Sequence, residues 1–239
     1  ENYTTTLRLA WQRILLQAFN GQSADFTVFL SESVLARVLV AIRTTPGKIP
    51  PVDVPSLEAR LAAASRRWED VLAQALTERF GEARGTTLYK RLGGAFPVSY
   101  REDVSPQRAV GDVEMIDART EASPLGMNLY RPLEAAPGTL RFKLFRRGAA
   151  ITLSDSLPML ERMGLRVLNE HSYRVETTDG APVWIHDFGL ALLGDEVDVE
   201  AVKALFEDAF GQVFAGEVEN DAFNRLVLAA EITAAEITV

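Results

Sequence analysis

The same order of predicted elements occurs twice along the 239 residues of this chain, and it is the feature that most limits the available folds. In the second half, a strand over "TLRFKLFRRG" precedes a short helix, two more strands and a closing helix. In the first half, a helix over residues 4–20 precedes the strands "DFTVFLS" and "VLARVLVAIRT" and a second helix. The two strands are expected to form a hairpin, and the apolar residues expected on one face of each strand are Phe26, Val28 and Leu30 in the first and Ala36, Val38, Val40 and Ile42 in the second. The first half therefore shows α-β-β-α where the second half shows β-α-β-β-α.

The two predicted strands of the first half are too few to form a stable sheet. A two-stranded sheet is marginal in water, so the pattern predicts a further strand before residue 1. In the complete second half, Leu140, Phe142 and Leu144 point to one face of a strand, and Arg141, Lys143 and Phe145 point to the other. The order β-α-β-β-α is that of the ferredoxin-like split unit. We therefore expect an α+β chain with two ferredoxin-like modules, of which the first lacks its first strand.

A helical connector is predicted between the modules. Ser56 is expected to cap one long helix that continues to Phe80, and Ser105 is expected to cap a shorter one. "GMNLYRP" is expected to be an edge strand. The predicted boundaries are residues 1–82 for the incomplete module with its long helix, 83–122 for the connector, 123–217 for the complete module and 218–239 for the start of a further helical region.

The stretch "ITLSDSLPMLERMGLRVLNEHSY" predicts a capped helix, a glycine stop and a strand. Ser154 or Asp155 is expected to cap the helix, with Pro158 in its first turn. Gly164 is expected to end the helix in the left-handed conformation. The predicted inner face of this helix consists of Leu153, Leu157 and Leu160.

Composition excludes several classes of protein. With 25 basic and 33 acidic residues, the net charge of −8 repels phosphate backbones, so no nucleic-acid partner is expected. The lack of cysteine removes disulfides, thiolate metal sites and cysteine nucleophiles, as expected of a cytoplasmic protein. No run approaches the roughly 20 apolar residues of a membrane span, so no membrane partner is expected.

Catalytic motifs have little support in the sequence. "HDFG" resembles a kinase signature, but the glycine-rich and catalytic loops of kinases have no counterpart. His171 and His186, with Asp187 or Glu170, could hold a metal if the two strands pair, but histidines on neighbouring strands are more often structural. No GxSxG, GxGxxG or P-loop motif occurs. We therefore predict no catalytic residue, no cofactor-binding residue and no metal site.

The link between the strand and the helix, Gly148 to Ser156, is the one suggestive site. Gly148 allows close approach of a backbone, and a helix N-terminus can receive a carboxylate. The side chains of Ser154, Asp155 and Ser156 could bind an ammonium group, or they could simply cap the helix. Gly148, Ser154, Asp155 and Ser156 are the predicted effector-binding residues.

Several long strings resemble one family along nearly the whole chain. "FTVFLSESVLARV", "AFPVSYREDVSPQRAVGDVE", "LSDSLPMLERMGLRV", "VWIHDFGL" and "DAFNRLVL" resemble, in order, the N-terminal half of the large bacterial NAD-specific glutamate dehydrogenases. The resemblance implies ACT-like, ferredoxin-like modules in a region that precedes the catalytic domain.

The resemblance also implies a function for the longer protein. The parent enzyme would convert L-glutamate, NAD and water to 2-oxoglutarate, ammonia and NADH. None of its catalytic residues has a counterpart here, so this segment is expected to be inactive and to bind no NAD. ACT-like modules often bind amino acids in the loop after their first strand, which corresponds to Gly148–Ser156. The expected partners are the rest of the polypeptide, other subunits and an amino-acid effector, and the alternative is a pure assembly scaffold without ligand.

Overall fold

The structure, a computed structural model, describes residues 5–29, 37–178, 180–194 and 197–230. The chain divides into two compact units, Glu1–Asp70 and Val71–Val239. The finer boundaries predicted at residues 82, 122 and 217 stay predictions. The α+β class is confirmed, because helices pack with antiparallel sheets in both units.

The first unit is a helix, a hairpin and a second helix. Its strands pair antiparallel with Phe26 opposite Val40 and Val28 opposite Val38, which confirms the predicted apolar face of the hairpin. Leu30 and Ala36, predicted on the same face, lie outside the described residues. The elements are α1 (Thr5–Phe19), β1 (Ser23–Phe29), β2 (Arg37–Arg43) and α2 (Val54–Ala64).

The long helix predicted from Ser56 to Phe80 was wrong, because the structure has two helices there, α2 and α3 (Trp68–Phe80). The hydroxyl of Ser65 donates to the Leu61 carbonyl at 2.7 Å, and the indole of Trp11 donates to the same carbonyl at 3.2 Å. These bonds satisfy the carbonyl at the end of α2 and stop the helix there. Ser56 is not its cap either, since Asp53 takes that position and a proline occupies the first turn.

Helix α3 crosses the boundary between the units, and the second unit continues with α4 (Glu82–Leu92), α5 (Val98–Asp103) and α6 (Pro106–Asp117). The predicted cap is confirmed, since the Ser105 hydroxyl oxygen accepts from the Arg108 N–H at 3.4 Å. Helices α3 and α4 approach closely at Gly85, where an added Cβ would lie 2.7 Å from the Thr77 Cα. Only glycine therefore fits at that position without a shift of backbone.

A four-stranded antiparallel sheet follows, in the order β3-β4-β6-β5. The predicted edge strand is confirmed as β3, which precedes β4 in the chain and pairs along its free side. A ferredoxin-like unit usually fills this edge with a strand after its second helix. In this chain the edge strand, β3, instead comes before the first strand of the unit, β4. The elements are β3 (Leu125–Tyr130), β4 (Thr139–Arg147), α7 (Leu153–Arg162), β5 (Leu165–Val175), β6 (Val183–Leu192) and α8 (Val199–Ala215), followed by a 3₁₀ turn (Ala222–Arg225) and α9 (Leu226–Ala230).

Both faces of this sheet are covered. On one face, the ring of Phe142 packs edge-on against Phe206 and Phe210 of α8, with ring centroids 5.2 Å and 5.1 Å away. On the other face, Lys143 and Phe145 are also buried, because α5 and α6 lie against that side. The predicted alternation of β4 is confirmed, and each of its two faces contributes to a core.

The predicted start of α7 was wrong in its details. Thr152 is the N-cap, so Pro158 lies inside the helix rather than in its first turn. Leu153 is 43% exposed, whereas Ser156, Met159 and Leu160 are buried. The inner face is therefore shifted from the predicted one. Gly164 follows the helix with φ +83°, which confirms the left-handed stop.

Candidate functional site

The predicted effector loop begins at the end of β4. Gly148 has φ +89° and donates its N–H to the Pro182 carbonyl at 2.8 Å, which ties the loop to the start of β6. Ile151 is buried, and its N–H donates to Nε2 of His186 at 3.1 Å. The Nδ1 of His186 lies 2.9 Å from Oε1 of Glu170 on β5. Backbone and histidine bonds therefore hold the loop on the sheet at two points.

The polar side chains at the start of α7 bond mainly to Thr152. The Thr152 hydroxyl donates to the carboxylate of Asp155, and the Ser154 hydroxyl donates to the Thr152 hydroxyl oxygen at 3.2 Å. Ser156 is buried, and its hydroxyl donates to the Thr152 carbonyl at 3.2 Å. The structure thus brings Ser154 and Asp155 together on the surface, whereas Ser156 faces the core and Gly148 lies apart from all three.

The two histidines do not approach each other. His171 is opposite Asp187 and His186 is opposite Ser172 in the β5–β6 register, so their side chains lie on different faces of the sheet. The metal site considered for the pair therefore does not form. Among the described residues, no group of three or more histidine, aspartate or glutamate side chains is arranged to hold a metal ion.

A buried charged cluster joins α6 to the second face of the sheet. The Lys143 ammonium on β4 lies 2.5 Å from Oδ2 of Asp112 on α6, and both residues are 3% exposed. The Tyr100 hydroxyl donates to the same oxygen at 2.5 Å. Burial raises the pKa of Tyr100 above its ordinary value, and the Asp112 carboxylate raises it further. This cluster, Tyr100–Asp112–Lys143, fixes the helices on the sheet.

A cavity of about 300 Å³ opens beside this cluster, between helices α5 and α6 and the sheet. Its lining carries charges of both signs from four elements of the second unit. The lining residues are Asp103, Val104, Arg108, Pro132, Arg141, His171, Tyr173 and Asp187.

The floor of the cavity is an ion pair. The Arg141 guanidinium donates Nε–H to one oxygen of Asp187 at 2.9 Å, and its Nη2 lies 2.7 Å from the other. Asp187 is only 3% exposed, so its charge is compensated where it is buried. Burial alone would lower the pKa of Arg141, but the Asp187 carboxylate outweighs that effect and raises it.

The wall of the cavity is formed by Asp103 and β5. The Tyr173 hydroxyl donates to Oδ2 of Asp103 at 2.7 Å, and Nδ1 of His171 lies 3.2 Å from the same oxygen. The hydrogen bond from Tyr173 lowers the pKa of Asp103 below its ordinary value, and the contact with His171 adds to that effect. Burial and the neighbouring carboxylate raise the pKa of Tyr173. Asp103 is therefore held as a carboxylate near neutral pH.

Sequence reasoning did not find this cavity. Arg141, His171 and Asp187 were noted in the sequence, but only as positions on strand faces or as metal ligands. Asp103 and Arg108 come from helices whose docking on the sheet has no short-range signal. The one available signal was the charged outer face of β4, which carries Arg141 and Lys143 opposite an apolar inner face.

No helix in the described ranges combines the length and the apolar character that crossing a membrane would need.

Models of three parts of one protein family match the chain, one after another. They are the glutamate dehydrogenase ACT2 domain at residues 1–69, helical motif 2 at residues 75–118 and the ACT3 domain at residues 124–202. The first range coincides closely with the first structural unit, and the other two lie within the second. The cavity is thus lined by residues from both the helical motif and the ACT3 range.

Curated relatives match along almost the whole chain. The NAD-specific glutamate dehydrogenase of Halomonas elongata is 41% identical over 238 residues, which is 99% of this chain and 15% of that protein. The protein of the same name from Pseudomonas aeruginosa is 38% identical over 96% of this chain and 14% of its own length. That from Mycobacterium tuberculosis is 30% identical over 98% of this chain. The chain therefore spans about 15% of the length of the curated relatives it matches.

Proposed function

The chain belongs to the glutamate dehydrogenase family, whose second and third ACT domains and second helical motif it carries, and we propose that it is a non-catalytic, regulatory or architectural segment of an NAD-dependent enzyme. The parent reaction would be the oxidative deamination of L-glutamate to 2-oxoglutarate and ammonia with reduction of NAD. NAD would bind in the parent enzyme outside this segment. The observation that carries the proposal is that models of three parts of one family match the chain one after another, over residues 1–69, 75–118 and 124–202.

The architectural part of the proposal is supported by the buried cluster Tyr100–Asp112–Lys143. A charged lysine and a charged aspartate inside a protein are stable only while they stay paired and hydrogen-bonded. The cluster therefore favours one position of the helical motif on the ACT3 sheet over any other. We expect the rest of the polypeptide and other subunits in the cytoplasm to contact the helices and the sheet that this cluster holds together.

The regulatory part of the proposal is an amino-acid effector at the loop Gly148–Ser156. Ser154 and Asp155 are exposed at the N-terminus of α7, where backbone N–H groups and the helix dipole favour a carboxylate. The Asp155 carboxylate would receive the ammonium group of the effector. Ser156 and Gly148 would act by holding the loop in place.

Two assays test the proposal. The purified chain, supplied with L-glutamate and NAD, should form no NADH, and NADH formation would show that the segment is catalytic. Calorimetry with the common amino acids should give heat that is reduced in a Ser154→Ala/Asp155→Asn variant and unchanged in Glu161→Gln, which changes a charge at the far end of α7. Absence of heat with every amino acid would favour the alternative, an assembly scaffold without ligand.

A further inference from the structure

We propose that the cavity between α5, α6 and the sheet binds a small zwitterion of the α-amino-acid class. The site lies across the junction of the helical motif and the ACT3 range, and it shares no residue with the loop Gly148–Ser156. The proposal therefore goes beyond the effector loop and does not depend on it. It rests on the placement of one accessible anion and one accessible cation around a space of about 300 Å³.

Asp103 is the anion that would receive the ammonium group. Its two hydrogen bonds, from Tyr173 and His171, both end on Oδ2. Its side chain is 46% exposed, so the other oxygen, Oδ1, can accept a hydrogen bond from a ligand. Because the Tyr173 hydroxyl holds Asp103 in its ionised form, the acceptor carries its full charge near neutral pH.

Arg108 is the cation that would receive the carboxylate. Its guanidinium donates to the Tyr130 hydroxyl at 3.3 Å, and a phenol leaves the positive charge uncompensated. Among the residues that the structure describes, Arg108 forms no ion pair. A guanidinium in this position can bind both oxygens of a carboxylate side by side.

The remaining charges of the cavity make a neutral floor. Arg141 and Asp187 satisfy each other through two short contacts, so a ligand need not break them in order to bind. A ligand with a single charge would match Asp103 or Arg108 and be opposed by the other. A ligand that carries both charges matches both, which is the reason for choosing a zwitterion. The volume suits a small molecule, since it lies at the lower end of known ligand pockets.

Calorimetry on the purified 239-residue chain tests the proposal, with glycine, L-alanine and L-glutamate as zwitterionic probes. At least one should bind with a dissociation constant below about 10 mM. Acetate and methylammonium, which each carry one of the two charges, should bind at least about tenfold more weakly than that zwitterion. Absence of saturable binding by all three zwitterions would overturn the proposal, as would equal binding of acetate.

Charge-removing variants locate the binding. Asp103→Asn and Arg108→Gln should each weaken binding at least about tenfold. Their controls are Glu102→Gln, which removes a neighbouring charge on α5, and Arg166→Gln, which removes an exposed charge on β5, and neither should change the affinity. Binding that survives Asp103→Asn and Arg108→Gln but is lost in Ser154→Ala/Asp155→Asn would overturn this site and support the effector loop.

A measurement on the unsubstituted chain avoids the case in which a variant loses binding only because it does not fold. The imidazole of His171 lines the cavity and contacts the Asp103 carboxylate, which would bind the ligand. The imidazole of His186 is buried on the other face of the sheet. In an NMR titration with the zwitterion, the His171 ring resonances should shift with saturation and those of His186 should not. A saturating ligand that leaves His171 unchanged would overturn the proposal.

Discussion

Removal of the buried charge of Asp112 should destabilise the second unit strongly. Asp112→Asn keeps the size of the side chain but removes the counter-charge that is bonded to the Lys143 ammonium, in a place where Lys143 is 3% exposed. The Tyr100 hydroxyl can still donate to the amide oxygen of the new side chain, so the hydrogen bond is not the main loss. The dominant effect is an uncompensated positive charge under the sheet.

The size of this effect follows from the burial of the pair. Breaking a buried ion pair by removal of one partner costs about 3–5 kcal/mol, and the retained hydrogen bond places Asp112→Asn near the lower value of about 3 kcal/mol. For a unit of this size the melting temperature should fall by roughly 6–12 °C. Adding Lys143→Met removes the unpaired ammonium and should recover at least about 1.5 kcal/mol of the loss.

The matched control is Asp117→Asn on the same helix. Asp117 pairs with Arg91 at 2.5 Å and with Arg84 at 3.8 Å, and these side chains are 27%, 26% and 57% exposed, so both pairs reach solvent. Water screens charges that reach solvent, so this variant should cost less than Asp112→Asn. Urea unfolding is followed by pulsed hydrogen exchange of peptides from β4 and β6, so that the signal reports the second unit.

Two results would refute this reasoning. An Asp112→Asn variant that loses no more than Asp117→Asn would show that the Lys143–Asp112 pair is exposed to water in solution. A double variant with Lys143→Met that is less stable than Asp112→Asn alone would show that packing of the lysine stem, rather than its charge, determines the loss.

Three further predictions concern the second unit, each checked by its urea unfolding midpoint. In the parent protein, the raised pKa of Tyr100 keeps its proton in the native state while the unfolded state releases it, so the free energy of unfolding falls by about 1.4 kcal/mol per pH unit above about pH 10. Tyr100→Phe removes this contribution, so the stability of the variant should fall less steeply by that amount. Equal slopes for variant and parent would contradict this. Gly164→Val should cost about 1–2 kcal/mol, because valine is strained at φ +83°, and an unchanged midpoint would exclude a left-handed stop in solution. Gly85→Ala should destabilise the unit, because the added Cβ meets the Thr77 backbone. Gly111→Ala, on an open face of α6, should stabilise it by about 0.5–1 kcal/mol. A Gly85→Ala variant that is more stable than Gly111→Ala would disprove the close approach of α3 and α4.

Local patterns in the sequence were sufficient for most elements of the fold. The alternation Leu140, Phe142, Leu144 predicted the inner face of β4, and Gly164 predicted the end of α7. These predictions succeeded because period-two alternation and positive φ are set by neighbouring residues. The prediction of one long helix failed because the Leu61 carbonyl at the end of α2 bonds not only to the nearby Ser65 hydroxyl but also to Trp11, which comes from a distant part of the chain.

The sequence by itself determined the α+β class, the order β-α-β-β-α and the family. Tertiary structure alone decided that the outer face of the sheet is buried, that Lys143 pairs with Asp112, and that Asp103 and Arg108 meet Arg141 around one cavity. The physical reason is that a strand shows in its own residues which side chains share a face. What covers that face depends on how helices from elsewhere in the chain dock on it. That docking determines which side chains are buried and which charges pair, and it involves residues far apart in sequence.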